Sequence, residues 1–307
     1  MRGLATTLSR DLSGDGGHPA PPIPLSGDPS GRAHFPRFSN GFPHHGTSRR
    51  FDSRGIGGLP TNIDMYFRSI IYGLAISLAL IAPAVAGEIK LAPKAVLELF
   101  TSQGCSSCPK ADAMLDEMSQ RPDVVALAYH VDYWDYIGWA DTFGARENSD
   151  RQRDYAESWG SSRIFTPQLV VNGKGGLVGS KRDAVTDALG GATLPLDITL
   201  SETADGMLKV SAPGVAGQGD AQVWLVTFLD RADVSIERGE NEGKKVAYTQ
   251  IVTGRQVLGM WNHETGAELT LPLAEVLTGR ANGAAILIQE DRNGLPGPIL
   301  GAASFTR

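Results

Sequence analysis

The sequence predicts an α/β domain followed by a smaller, mostly antiparallel β domain. Between residues 92 and 190, strand-like apolar runs alternate with helical patterns, which indicates a central sheet flanked by helices. From residue 194 onward, short strand-like runs are separated by clusters of Gly, Pro, Asn and Asp, which indicates a small antiparallel sheet or sandwich. The two cysteines, Cys105 and Cys108, lie where the first strong strand gives way to a helix.

The first 86 residues are expected to lie outside these domains. Residues 1–64 are rich in Pro, Gly, Ser, His and Arg without apolar periodicity, which predicts a disordered or mis-annotated upstream region. Residues 65–86 have the three parts of a secretory signal peptide: Arg68, an apolar stretch over 70–81 and a terminal Ala-Val-Ala. The stretch is too short for a retained membrane anchor. We therefore expect a secreted or periplasmic bacterial protein, and Met65 is a second candidate translation start.

Charge and cysteine content exclude several function classes. The chain carries 28 Lys and Arg against 34 Asp and Glu, a net charge of −6, and no basic run follows the signal, which argues against nucleic-acid binding. Two cysteines cannot form a disulfide framework or a four-cysteine zinc site. Export would place them in an oxidising compartment, where a disulfide can persist.

The helices and strands of the first domain, 87–193, alternate along the chain. An apolar strand precedes the cysteines and an amphipathic helix follows them, so the helix dipole and its free N–H groups favour a thiolate at Cys105. The predicted order is strand 95–100, helix 109–118, strand 124–131, helix 145–159, strand 164–171, a turn at Asn172-Gly173, a strand ending near Val178 and helix 181–189.

This order resembles the thioredoxin fold, and a second motif carries the resemblance further. Thioredoxin-like proteins place a cis-proline that faces the disulfide at the start of the strand after the second half's first helix, and Thr166-Pro167 occupies that position. The resemblance implies a thiol–disulfide oxidoreductase without a cofactor, in which Cys105 attacks from an exposed helix start and Cys108 resolves the mixed disulfide. It also implies that Thr166 offers its backbone to a bound substrate chain. Partners would be protein or small-thiol disulfides and a redox partner that the sequence does not name.

Three departures from thioredoxins leave the direction of electron transfer open. Gly104 stands where thioredoxins carry tryptophan, and the dipeptide between the cysteines is Ser-Ser. The position of the buried carboxylate beneath the thioredoxin disulfide falls at Leu99, while Glu98 has the opposite strand parity. The exported chain also resembles a secreted bacterial family of unknown function with a thioredoxin-like core.

A second hypothesis belongs to a different class. The chain would then be a non-catalytic periplasmic binding or assembly module of the same fold, holding Cu(I) between the thiolates of Cys105 and Cys108. No third ligand has an obvious spacing, so we assign no metal ligand.

Several side chains fit both a structural and a functional interpretation. Buried histidines and aromatic clusters belong more often to a core than to a site. The side chains in question are His130, Trp134, Trp139 and Trp159, together with Ser106 and Ser107, which either start the helix or bind the thiolate.

The second domain, 194–307, contains six predicted strands and one charged loop. The strands lie at 196–200, 207–210, 222–229, 247–252, 268–271 and 284–289. The glycine-containing loop at 238–245 is interpreted as a solvated hairpin connection, with a binding loop as the alternative.

Overall fold

The structure is a computed structural model that describes residues 89–307. The predicted upstream region, 1–64, and the predicted signal peptide, 65–86, lie outside the described residues. Among residues 89–307, no helix has the length and apolar character that crossing a membrane would require.

The first half of the described chain folds in the predicted order. β4 begins later than predicted because Pro167 has no N–H to donate to the ladder. The short β1 was not predicted. The elements are β1 (Ile89–Lys90), β2 (Ala95–Thr101), α1 (Pro109–Ser119), β3 (Val124–His130), α2 (Arg146–Ser158), β4 (Gln168–Val171), β5 (Gly176–Val178) and α3 (Arg182–Gly190).

All six predicted runs of the second half form strands, and a further long strand ends the chain. That strand was not predicted because its prolines and glycines are typical turn residues. The elements are β6 (Leu196–Asp197), β7 (Thr199–Glu202), β8 (Met207–Ala212), β9 (Ala221–Ser235), β10 (Lys245–Trp261), β11 (Ala267–Pro272), the short α4 (Leu273–Val276), β12 (Gly283–Arg292) and β13 (Leu295–Thr306).

One ten-stranded mixed sheet contains strands from both halves of the chain. Its order is β1-β13-β12-β9-β10-β3-β2-β4-β5, and β6 pairs with β13. The two halves meet where Ile251 of β10 pairs with Ala128 of β3. The remaining strands form a small antiparallel sheet of order β11-β8-β7. The fold class predicted from the sequence is confirmed, and most strands of 194–307 extend the sheet of the first half.

The strand alternation of β2 separates two apolar layers. Val96 and Phe100 pack on the face covered by α2, in a cluster that includes Val226 and Leu287 of the second half. Leu97 and its neighbours pack on the opposite face, against α1 and α3. A third cluster lies between the large sheet and the small one.

A buried ion pair links β2, α2 and β12 on the α2 face. Arg151 donates from Nη2 and Nε to Oε1 of Glu98, at 2.5 and 2.8 Å. Tyr155 donates to the other oxygen of Glu98 and accepts from Gln289 Nε2 at 2.8 Å. Burial raises the pKa of Tyr155 well above its usual value, so the phenol remains a neutral donor. Glu98 therefore points away from α1, as its strand parity predicts.

We expect Arg151→Met to lower the free energy of unfolding by about 3–5 kcal/mol, because it leaves the Glu98 carboxylate buried without a cation. The double variant Glu98→Gln/Arg151→Met removes both charges and should recover a large part of that loss. Urea unfolding with the disulfide intact measures both effects. A single variant within about 1 kcal/mol of the parent would contradict the role given to this pair.

Candidate functional site

The two cysteines form a disulfide at the junction of β2 and α1. Their Cα atoms are 5.4 Å apart, within the usual range for a disulfide. Two tight turns carry the chain from the strand to the helix, with the N–H of Cys105 donating to Ser102 O at 3.1 Å and that of Cys108 to Cys105 O at 3.2 Å. Cys108 is the N-cap of α1, and Pro109 begins the helix, where its missing N–H costs nothing.

The disulfide is buried, which corrects the expectation of an exposed sulfur at the helix start. Cys105 is 1% exposed and Cys108 is 0% exposed, while Ser106 and Ser107 between them are exposed. The expectation was wrong because three segments distant in the sequence pack around the pair. They are the aromatic segment 131–145, the Thr166-Pro167 peptide and the loop of residues 236–244.

The aromatic segment 131–145 is held against the site by two indole hydrogen bonds. Trp134 Nε1 donates to Thr166 Oγ1 at 2.8 Å, and Trp139 Nε1 donates to Gln103 Oε1 at 2.8 Å. Both side chains are partly buried. Each therefore contributes to packing and also lies beside the site.

The same segment explains the glycine before the first cysteine. A Cβ atom at Gly104 would lie 3.2 Å from side-chain atoms of both Trp134 and Ile137. Most real Cβ contacts are longer than this. Residue 104 therefore leaves room for the aromatic segment to close over the disulfide.

The Thr166–Pro167 peptide bond is cis, as the resemblance implies. Ser107 Oγ lies 3.3 Å from Cys105 Sγ and 3.5 Å from the carbonyl oxygen of Thr166. One hydroxyl group thus separates the disulfide from the Thr166 backbone. Of the two interpretations of this serine, contact with the sulfur agrees with the structure, because no side chain caps the start of α1. The structure brings all four sequence-predicted site residues into one region.

The 236–244 loop between β9 and β10 also reaches the site. Asn241 is fully buried, and its Nδ2 donates to the carbonyl oxygens of Gln103 at 2.8 Å and Cys105 at 2.9 Å. Its Oδ1 accepts from Lys244 Nζ at 2.7 Å. No sequence signal indicated this contact, because a single asparagine between charged residues and glycines is typical of a solvated loop.

A buried carboxyl group lies in the first turn of α1. Asp112 is one helical turn after Cys108, and its N–H donates to Cys108 O at 3.0 Å. Thr101 Oγ1 donates to Asp112 Oδ1 at 2.7 Å, while Oδ2 has no partner among the described residues. Burial raises the pKa of Asp112 to about 7, against the opposing effects of His130 and Thr101. The spacing of four residues from Cys108 was the available sequence signal.

Asp112 belongs to a buried polar cluster with His130, Asp141 and Tyr248. His130 Nδ1 hydrogen-bonds to Asp141 Oδ2 at 2.8 Å, and the rings of His130 and Tyr248 are 4.9 Å apart. Burial opposes ionisation of Asp141, but His130 and the N–H groups of Gln103 and Phe143 hold its pKa below the usual value.

Three polar atoms of the buried polar cluster have no hydrogen-bond partner within residues 89–307. They are Asp112 Oδ2, His130 Nε2 and the Tyr248 hydroxyl. Burial, followed by the charges of Asp112 and Asp141, raises the pKa of Tyr248 above its usual value. His130 is therefore a buried histidine paired with Asp141. In the described part of the chain, no group of three or more His, Cys, Asp and Glu side chains could hold a metal ion.

Comparison with known proteins places the chain in a family without assigning its activity. A protein from Agrobacterium tumefaciens, AGR_C_4864, is 34% identical, with a TM-score of 0.63 over 70% of this chain and 95% of its own. HBP35 of Porphyromonas gingivalis is 13% identical, with a TM-score of 0.47 over 69% of this chain and 74% of its own. That similarity is too low to indicate a function. No curated protein matches the chain. The family model described as "Protein of unknown function (DUF1223)" matches residues 96–289, and the chain belongs to that family.

Proposed function

We propose that this protein is an exported thiol–disulfide oxidoreductase whose redox centre is the Cys105–Cys108 disulfide. The observation that supports this proposal best is the position of the disulfide. The Ser107 hydroxyl lies between Cys105 Sγ and the Thr166 carbonyl, and the buried Asp112 lies one helical turn after Cys108. A disulfide that closes a four-residue loop stabilises a fold little, because the gain grows with loop length. A purely structural role would leave the surrounding polar groups unexplained.

The exchange reaction needs only the two sulfurs of the protein and the thiols of a substrate. A substrate thiolate attacks Cys105 Sγ, which forms a mixed disulfide and releases Cys108 as a thiolate. A second substrate thiolate then attacks the substrate sulfur of the mixed disulfide and releases Cys105. The substrate dithiol becomes a disulfide, and the protein gains two electrons as a dithiol. The same steps in reverse reduce a substrate disulfide, so no further cofactor takes part.

Asp112 is the proposed proton donor and acceptor for Cys108. Side chains on a helix lean toward its N-terminus, and residues four apart share a face, so the Asp112 carboxyl group lies on the Cys108 side of α1. With a pKa of about 7 it can hold a proton near neutral pH. It can pass that proton to Cys108 as the disulfide opens and take it back as the disulfide forms.

The proposed substrates are proteins or small thiols with disulfides. Thr166 is the proposed backbone contact for a bound chain. Its carbonyl lies next to the Ser107 hydroxyl, which in turn contacts Cys105 Sγ. The net charge of −6 makes nucleic acid an unsuitable partner. The signal-peptide pattern at 65–86 supports a secreted or periplasmic location in a bacterium, without a retained anchor.

We expect the purified protein to accelerate insulin reduction by dithiothreitol and to equilibrate its disulfide with glutathione. Cys105→Ser should abolish both activities, because it removes the attacking sulfur. Cys108→Ser should accumulate a mixed disulfide with glutathione on Cys105, which mass spectrometry detects as a glutathione adduct. Folded parent protein without either activity would contradict the proposal. Stoichiometric Cu(I) binding by that inactive, reduced protein would favour the binding module instead.

We expect Asp112→Asn to slow glutathione exchange and to remove an inflection near pH 7 from its pH–rate profile. The physical reason is that the amide cannot deliver or accept the Cys108 proton. Asp116→Asn is the matched control, because Asp116 lies on the same helix in a partly exposed pair with Arg231. Stopped-flow rates between pH 5 and 9 test this. An unchanged profile in a folded Asp112→Asn protein would argue against the proton-transfer role.

Asp112 should also make the stability of the oxidised protein fall as the pH rises from about 4 to about 7. Its folded pKa of about 7 exceeds the reference value of 3.8. Between these two pKa values the folded state binds one more proton than the unfolded state. The contribution of Asp112 to the free energy of unfolding therefore falls by about 1.4 kcal/mol per pH unit as the pH rises. Urea unfolding should show Asp112→Asn gaining on the parent between pH 5 and pH 7. An equal difference at both pH values would contradict the raised pKa.

A further inference from the structure

We propose that the 236–244 loop is a gate over the disulfide and that Asn241 is the latch that holds the gate closed. This inference rests on the proposed function, because it concerns how a thiol reaches Cys105. It assigns a role to the charged loop, which the sequence analysis interpreted as a solvated hairpin connection with a binding loop as the alternative. It also assigns a role at the redox centre to the second half of the chain.

The latch consists of three hydrogen bonds from one buried amide group. Asn241 donates to the carbonyls of Gln103 and Cys105 and accepts from Lys244 Nζ, so the amide forms three of its four possible hydrogen bonds. The Gln103 and Cys105 carbonyls belong to the turn that carries the nucleophile. Without the amide they would need water as a donor, since buried carbonyls are almost always paired. The closed loop and the covered turn therefore stabilise one another.

Ile236, at the start of the loop, is buried, and Gly239 lies against Trp139, but the rest of the loop is held by little packing. Between residues 237 and 245, Asn241 is the single fully buried residue, and most of its neighbours are exposed and charged. Gly239 and Gly243 flank it with φ values of 81° and 78°, a backbone region that glycine enters without steric cost. Segments with few buried apolar contacts open at low free-energy cost. This loop can therefore swing away while the sheet remains intact.

The aromatic segment, which also covers the disulfide, is anchored more firmly than the 236–244 loop. Trp134 packs against the apolar cluster on the α2 face and donates its indole N–H to Thr166. Its displacement would expose aromatic surface and break that hydrogen bond. Displacement of residues 237–244 leaves the Asn241 amide and the carbonyls of Gln103 and Cys105, all of which water can satisfy. Of the two covers, the loop is the one that opens.

Opening is required because exchange begins with a thiolate approaching Cys105 Sγ. A cysteine that is 1% exposed offers no path for such an approach. The closed gate protects the disulfide from small thiols, and release of Asn241 admits a substrate. No bond at sulfur is made or broken by the gate itself, so it changes the rate of exchange and leaves the balance of electrons unchanged.

The test is the rate at which dithiothreitol reduces the disulfide in the full chain, followed by acid quenching and maleimide labelling of the new thiols. Asn241→Ala should raise this rate about tenfold, the effect of losing one to two net hydrogen bonds. Glu242→Ala, an exposed neighbour on the same loop, should stay within about twofold of the parent, because surface changes have small effects. Trp134→Phe should not reproduce the acceleration.

The proposal is overturned if folded Asn241→Ala reacts at the parent rate, or if Trp134→Phe is the variant that accelerates reduction. Should Asn241→Ala fail to fold, Lys244→Ala removes only the bond to Asn241 Oδ1. It should then give a smaller acceleration, and a parent-like rate would overturn the proposal. Chemical reduction by dithiothreitol requires no biological substrate. The gate can therefore be confirmed or rejected whether or not the protein proves to be an oxidoreductase.

Discussion

The pairing of β3 with β10 is the contact on which the arrangement of the site depends. Without it, β3 would be the edge of a four-stranded sheet, with a row of unpaired backbone groups. The bridge between Ala128 and Ile251 instead continues the sheet into the second half of the chain. The Glu98–Arg151–Gln289 hydrogen bonds join the same two halves on the α2 face. This union allows Asn241 to bind a carbonyl beside the disulfide.

Exclusion of water then determines the chemistry of the site. The segments around the disulfide leave Cys105 1% exposed, and the buried polar cluster includes Asp112, one helical turn after Cys108. In this environment desolvation raises the pKa of Asp112 to about 7, a value suited to proton exchange with a thiol near neutral pH. The same burial closes the path to the sulfurs. The raised pKa of Asp112 fits the proposed proton carrier, and the closed path fits the proposed gate.

The success of sequence-based prediction follows the range of the interactions involved. The elements around 95–190 were predicted because apolar periodicity and turn residues are local signals. Thr166-Pro167 was identified by its match to the cis-proline motif of thioredoxin-like proteins. β13 was missed because its prolines and glycines resemble a turn, although pairing with β12 makes it a strand. Asp112 had a weak signal in its spacing from Cys108, whereas Asn241 had none, because the two carbonyls that it binds beside the disulfide lie more than 130 residues away.

The sequence by itself determined that two cysteines lie between a strand and a helix, that Thr166-Pro167 carries the cis-proline motif ahead of a later strand, and that Glu98 has the strand parity opposite to Leu99. These properties follow from strand alternation and local turn chemistry. Only the tertiary structure decided that the sulfurs are buried, that Asp112 is desolvated and that Asn241 binds the carbonyls of Gln103 and Cys105. Burial depends on which distant segments pack together, and the joining of the two halves in one sheet sets that packing.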